Sequence, residues 1–165
     1  MNRKARTREE LIEAANHLHY EIWMFKSLAT ALGTGAFRNS VINNALLESF
    51  TVHARILLDF LFANKPKEDD VIAEDFFKDP DEWRIARQSK SETLQKVHKR
   101  VGKEVAHLTY ARQKVTSQTK PWPFMEIAKD TSEVFSLFLS IVLRNLLGPR
   151  WNGHKEHESD EKDRL

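Results

Sequence analysis

From Thr7 onward the apolar residues fall at helical intervals: Leu11, Ala14, Leu18, Ile22, Phe25, Ala29 and Leu32 line one side of a helix. Thr7 with Glu10 has the capping-box spacing that opens such a helix, and Gly33 and Gly35 supply the backbone freedom its end requires. Residues 37–64, Phe37 to Asn64, are expected to form the central helix. From Ala45 to Phe62 this segment is apolar around most of its circumference, so neighbours should enclose it. A third helical pattern opens at Ser89, where Glu92 repeats the capping-box spacing, and runs through Leu94, Val97, Val101, Val105 and Leu108 to Arg112. Pro121-Trp122-Pro123 breaks the chain and opens a fourth helix from Phe124 to Leu147, closed by Gly148-Pro149. Between the second and third helices, Lys65 to Lys90 carries Pro66, Pro80, acidic runs and the pairs Val71-Ile72 and Phe76-Phe77, a composition that suits short helical turns.

The fold expected is therefore all-α: a single-domain bundle of four long helices over residues 1–149, followed by a charged, disordered tail over 150–165 that stays outside the core. With 165 residues, five glycines and five prolines, the chain fits one domain and lacks the turn material of an all-β fold. Its 26 basic and 24 acidic residues nearly cancel, so no nucleic-acid footprint covers the whole surface, although a local basic face is not excluded. The absence of cysteine excludes disulfides, a thiolate nucleophile and sulfur-ligated zinc, and suits a cytoplasmic protein. Met1 to Arg8 leads into a polar amphipathic segment and not into the apolar core of a secretory signal. The most apolar run, Val134 to Leu147, is interrupted by Ser136, Ser140, Arg144 and Asn145 and falls short of the ~20 apolar residues a membrane span needs. No glycine-rich phosphate loop, paired Glu-x-x-His pattern or G-x-S-x-G elbow is present, so no cofactor is expected. No metal site is expected either. His17 and His19 lack a second ligand one helical turn away, and His154 and His157 fall in the tail.

Two constellations could carry chemistry. On the second helix, Glu48, Thr51, Arg55 and Asp59 fall in one narrow stripe, since each residue advances about 100° around the axis. Such a stripe on an otherwise apolar helix must face solvent, a partner or a polar cleft, or pair internally, and Arg55 lies one turn from Asp59. His53 points to the opposite, apolar side and reads as a hydrogen-bonded core histidine. On the third helix, Arg100 and His107 are nearly two turns apart, so both project from one face about 10 Å apart along the axis. A phosphate fits between them. Histidine exchanges protons near neutral pH, and arginine stabilises the charge that builds on a phosphodiester during cleavage. Tyr110 and Arg112 follow closely. Arg112 falls on the apolar side of its helix, where it needs a carboxylate, with Glu48, Asp59, Glu74 and Asp75 as candidates.

The Arg100-Val-Gly-Lys-Glu-Val-Ala-His107 string, late in a helical bundle, resembles the arginine and histidine motif of the HEPN superfamily. The resemblance implies a homodimer with paired motifs facing one another, and RNA or a nucleotide as partner. Arg100 and His107 would then either cut RNA without a metal, by attack of the ribose 2′-hydroxyl, or bind nucleotides without cutting. The strings Glu48-Ser-Phe through His53-Ala-Arg55 to Asp59-Phe60, Ala73-Glu-Asp-Phe-Phe77 and Ala106-His-Leu-Thr-Tyr-Ala-Arg112 are similar to uncharacterised bacterial helical proteins, a likeness that implies no activity. The residues also admit a non-catalytic interaction or adaptor module, in which Glu48, Arg55, Asp59 and Arg112 hold the bundle together.

Overall fold

The computed structural model describes residues 3–36, 40–106, 110–114, 116 and 121–152, and among them every regular element is helical. Helix α1 spans Arg8–Thr34, and the capping box read from the sequence is present at both of its bonds, Glu10 N to Thr7 Oγ1 and Thr7 N to the Glu10 carboxylate. It stops at Gly35, whose φ of 64° is the left-handed conformation that glycine adopts without strain. Its buried stripe runs through Leu11, Ala15, Leu18, Ile22, Phe25, Ala29 and Leu32.

Helix α2, Val41–Leu61, is capped by Ser40, whose hydroxyl accepts from Asn43 N. It pairs with α1 over its length, with Phe25 and Phe50 stacked 4.9 Å apart. The expected full enclosure does not hold. Phe50, Ala54, Leu57, Leu58 and Leu61 are buried, but Val41, Ile42, Val52 and Ile56 on the other side are exposed. Apolar composition alone does not show that neighbours cover only one side.

The connection after α2 contains the expected short turns: a 3-10 turn at Ala73–Phe76 and helix α3 at Pro80–Ala86. Asp79 caps α3 and Pro80 opens it, so the missing proline N–H costs nothing there. Trp83 on α3 is fully buried, and its indole donates to the Leu61 carbonyl at 2.8 Å. The N-terminal segment is tied to this connection, with Arg3 donating to the Lys67 and Asp70 carbonyls and pairing with Asp75, and Arg6 donating to the Glu68 carbonyl.

The third helix departs most from the sequence reading. Its cap is Ser91, whose hydroxyl accepts from Leu94 N, and not Ser89. Helix α4 is only Glu92–Arg100. The chain then widens into a π-helical turn at Val101–Ala106 and, further on, a 3-10 turn at Tyr110–Lys114. The fourth long helix is also shorter than expected: α5 covers Phe124–Ile141, the backbone turns extended at Val142, and 3-10 turns follow at Arg144–Leu146 and Pro149–Trp151. Five α-helices, three of them long, thus replace the four long helices of the sequence reading among the described residues.

These last turns belong to the core. Val142, Leu147 and Trp151 are buried, so the expectation that everything past Pro149 stays outside is corrected at Trp151. Its indole donates to the Ala15 carbonyl at 3.1 Å and stacks on Phe135. Gly148 allows this return: its φ is 77°, and a Cβ there would lie 2.9 Å from Ile12 Cγ2. Residues 153–165, including His154 and His157, lie outside the described residues. No helix among the described residues is long and apolar enough to cross a membrane.

Candidate functional site

Helix α4 and the π-turn that continues it present four different sides. Leu94, Val97 and Val101 face inward. Lys96, Lys99 and Lys103, at spacings of three and four residues, are exposed on the opposite side. Lys96 pairs with Glu92 at 2.6 Å in solvent, a contact that contributes little. The chain as a whole hides how basic this region is. From Arg84 to Lys120 ten lysines and arginines meet two acids, Glu92 and Glu104, while residues 65–82 carry eight acids against three lysines. Segment charge, instead of net charge, is the signal that finds this face.

On the shoulder toward α5, Arg100 is engaged on every side. Its Nε donates to both Glu104 oxygens at 3.0 and 3.1 Å, and Nη2 donates to Oε2 at 2.9 Å. Nη1 donates to the Pro121 carbonyl at 3.3 Å, and the guanidinium lies 4.0 Å over the Trp122 ring. Both charged side chains are about four-fifths buried. Bidentate geometry and the aromatic face make this a clamp between the start of the π-turn and the segment leading into α5. Arg100→Ala is therefore expected to lower folding stability by about 1–3 kcal/mol, read from urea denaturation. An unchanged urea midpoint would contradict the clamp. His107 lies outside the described residues, so its distance from Arg100 is not part of this geometry.

The shoulder toward α2 holds a second cluster. Asp59 Oδ1 lies 2.8 Å from His98 Nε2, and Asp59 Oδ2 accepts from Arg55 Nε at 3.5 Å. Arg55 reaches the π-turn, where a Cβ on Gly102 would stand 3.6 Å from its Nη1. The mid-helix glycine of the sequence thus sits under a guanidinium, in a turn whose hydrogen-bonding period has already changed. Lys90 lies beside this cluster, 5.1 Å over the Phe62 ring. Burial holds its ammonium below the ordinary lysine range, Asp59 partly offsets this and Arg87 adds to it.

The four-residue stripe of α2 therefore divides. Thr51 is buried and its hydroxyl donates to the Glu48 carbonyl at 2.8 Å, Glu48 is exposed, and Arg55 and Asp59 form the cluster with His98. His98 was not singled out from the sequence, because its partner lies 39 residues away. Asp59 also lines a cleft of about 450 Å³ between α1, α2 and the following loop, together with His17, Glu21, Ile56, Lys65 and Asp70. His53 is hydrogen-bonded as expected, with Nδ1 2.6 Å from Glu21 Oε2. Tyr110 is 87% exposed. Arg112 belongs to the same 3-10 turn, with its side chain outside the described residues. Of the carboxylates proposed for it, Glu74 is buried between Arg84 and Arg87 at 3.6 and 3.7 Å, Asp75 pairs with Arg3, and Asp59 is placed as above.

Among the described residues no group of three or more histidines and carboxylates is arranged to hold a metal ion. No family model matches the chain, and comparison with curated proteins and with solved structures finds no match either.

Proposed function

We propose that the chain is an RNA-acting helical domain of HEPN-like kind that engages the phosphodiester backbone along the exposed side of α4. The observation that carries this reading is the stripe of Lys96, Lys99 and Lys103 within a segment of ten basic and two acidic residues. The stripe runs from Lys96 and Lys99 on α4 to Lys103 in the π-turn and lies between the Arg55, Asp59 and His98 cluster and the Arg100 clamp. Lysines on one side of a helix neutralise phosphates and release their counterions, which gives affinity without base preference. In this reading Arg100 shapes the π-turn that leads to His107, and the lysines meet the phosphates. Fluorescence anisotropy with single-stranded RNA is the test: binding that weakens steeply as salt rises is expected. A chain that leaves RNA unbound at low ionic strength contradicts the reading.

A second reading, a protein-interaction module, is favoured by exposed apolar residues on the first two helices: Val52 and Ile56 on α2, with Tyr20 and Trp23 on α1. Such a module would bind no RNA, so the same titration separates the two.

A further inference from the structure

We infer that the cleft between the N-terminal segment, the Ala73–Phe76 turn and the stretch from Leu143 to Leu146 binds a small aromatic acid that carries a hydroxyl group. The inference goes beyond the RNA-acting reading and does not depend on it, since no residue lining this cleft comes from α4.

The cleft encloses about 710 Å³, within the size range of small-molecule sites. Glu74 lines it with a side chain only 3% exposed. A carboxylate is buried this deeply only with charge partners, and Arg84 and Arg87 supply them, 3.6 and 3.7 Å from Oε1. Those distances balance charge but exceed a hydrogen bond. The other oxygen, Oε2, is buried and has no hydrogen-bond partner among the described residues. Buried acceptors in folded proteins are nearly always met, so this oxygen marks where a donor from outside the chain fits. With two guanidinium groups already beside the carboxylate, a cationic donor is repelled and a neutral hydroxyl is favoured.

The remaining walls define the rest of the ligand. Phe76, Phe77, Leu11 and Leu143 give the cleft an apolar surface, and Leu143 is 60% exposed, so a flat apolar body laid there removes it from water. Phe77 is itself stacked on Trp83, which holds that wall in place for a ring. The charged lining is five cations, Arg3, Lys4, Arg6, Lys78 and Arg84, against Glu74 and Asp75, a balance that attracts an anion. Arg3 adds a specific donor. Its terminal nitrogens are engaged by the Lys67 and Asp70 carbonyls and by Asp75, whereas Nε is buried without an acceptor among the described residues. An acid group on the ligand accepts from that nitrogen and draws on the exposed ammonium groups of Lys4 and Lys78.

The experiment titrates 4-hydroxyphenylacetate into the full chain by isothermal calorimetry, with backbone amide shifts locating the site. Saturable binding with a Kd of about 1 mM or tighter is expected for a probe of this size, and the shifts should concentrate in residues 3–6, 73–78 and 143–146. Phenylacetate, which lacks the hydroxyl, should bind about 10- to 100-fold more weakly. In 4-hydroxyphenylethylamine an ammonium replaces the acid, and this compound should cause no shifts at the cleft. The Lys4→Gln, Lys78→Gln double variant should keep the wild-type thermal midpoint, both side chains being exposed, and bind the probe several-fold more weakly. In Glu74→Met the two acids should bind alike; if that variant does not fold, the comparison of the two acids on the wild type decides the matter alone. No binding of 4-hydroxyphenylacetate, or shifts confined to other residues, overturns the inference. Equal affinity of the two acids for the wild type overturns it as well. RNA binding is read on α4, so none of these outcomes bears on the RNA-acting reading.

Discussion

Phe138→Ala is expected to lower folding stability by about 3–5 kcal/mol, the usual cost of removing a phenyl ring from a sealed core. Phe138 is fully buried on α5 and meets five aromatic rings: Phe60, Phe76, Phe77, Trp83 and Phe135, at centroid distances of 5.1 to 6.0 Å. Four of these contacts are edge-to-face, the geometry in which the positive edge of one ring meets the negative face of the next. The neighbours come from α2, the 3-10 turn, the stretch after it and α3, so the cavity would open where most of the bundle converges. These elements are fixed by separate contacts, such as the Trp83 indole on the Leu61 carbonyl, which limits collapse into the void. Urea denaturation checks this, and a loss below about 1 kcal/mol would show a site that repacks freely.

Trp151→Ala is expected to be about as costly, again about 3–5 kcal/mol. The residue lies in a segment that reads as tail, yet it is 1% exposed, stacks on Phe135, touches the His19 ring and donates to the Ala15 carbonyl. Thermal melts of Trp151→Ala and of Trp151→Phe, which keeps an aromatic ring against Phe135, should separate, with the phenylalanine variant losing less. If Trp151→Ala melted like the wild type, the packing of Trp151 against α1 and α5 would not be a major contribution.

The contrast between these two residues shows what local pattern can and cannot convey. Phe138 belongs to a helical stripe, so burial follows from its spacing. Trp151 is a lone aromatic among charges, and its partner Ala15 lies 136 residues earlier. Helix α1 was fully legible because its capping box, apolar period and terminal glycine are all local. The break in the third helix was not. The spacing of Val101 and Val105 fits an α-helix as well as a wider turn, and the turn is flanked by tertiary contacts, Arg100 on Trp122 and Arg55 over Gly102. The stripe on α2 correctly put Arg55 beside Asp59, since one helical turn is a local quantity, but it could not place Thr51 in the core or bring His98 from α4. The near-zero net charge masked the separation of an acidic connection from a basic α4 region, because a sum over the chain discards position.

The most direct test of the RNA-acting reading is the salt dependence of single-stranded RNA binding, compared between the wild type and the Lys96→Gln, Lys99→Gln, Lys103→Gln triple variant. Each phosphate neutralised on a single strand contributes about −0.7 to the slope of log affinity against log salt. Removing three lysines should therefore make the slope shallower by about 2 and weaken binding at low salt, with the thermal midpoint little changed because all three side chains are exposed. A triple variant that binds RNA with the wild-type slope would show that the α4 face does not meet the phosphates, and would contradict the proposed site.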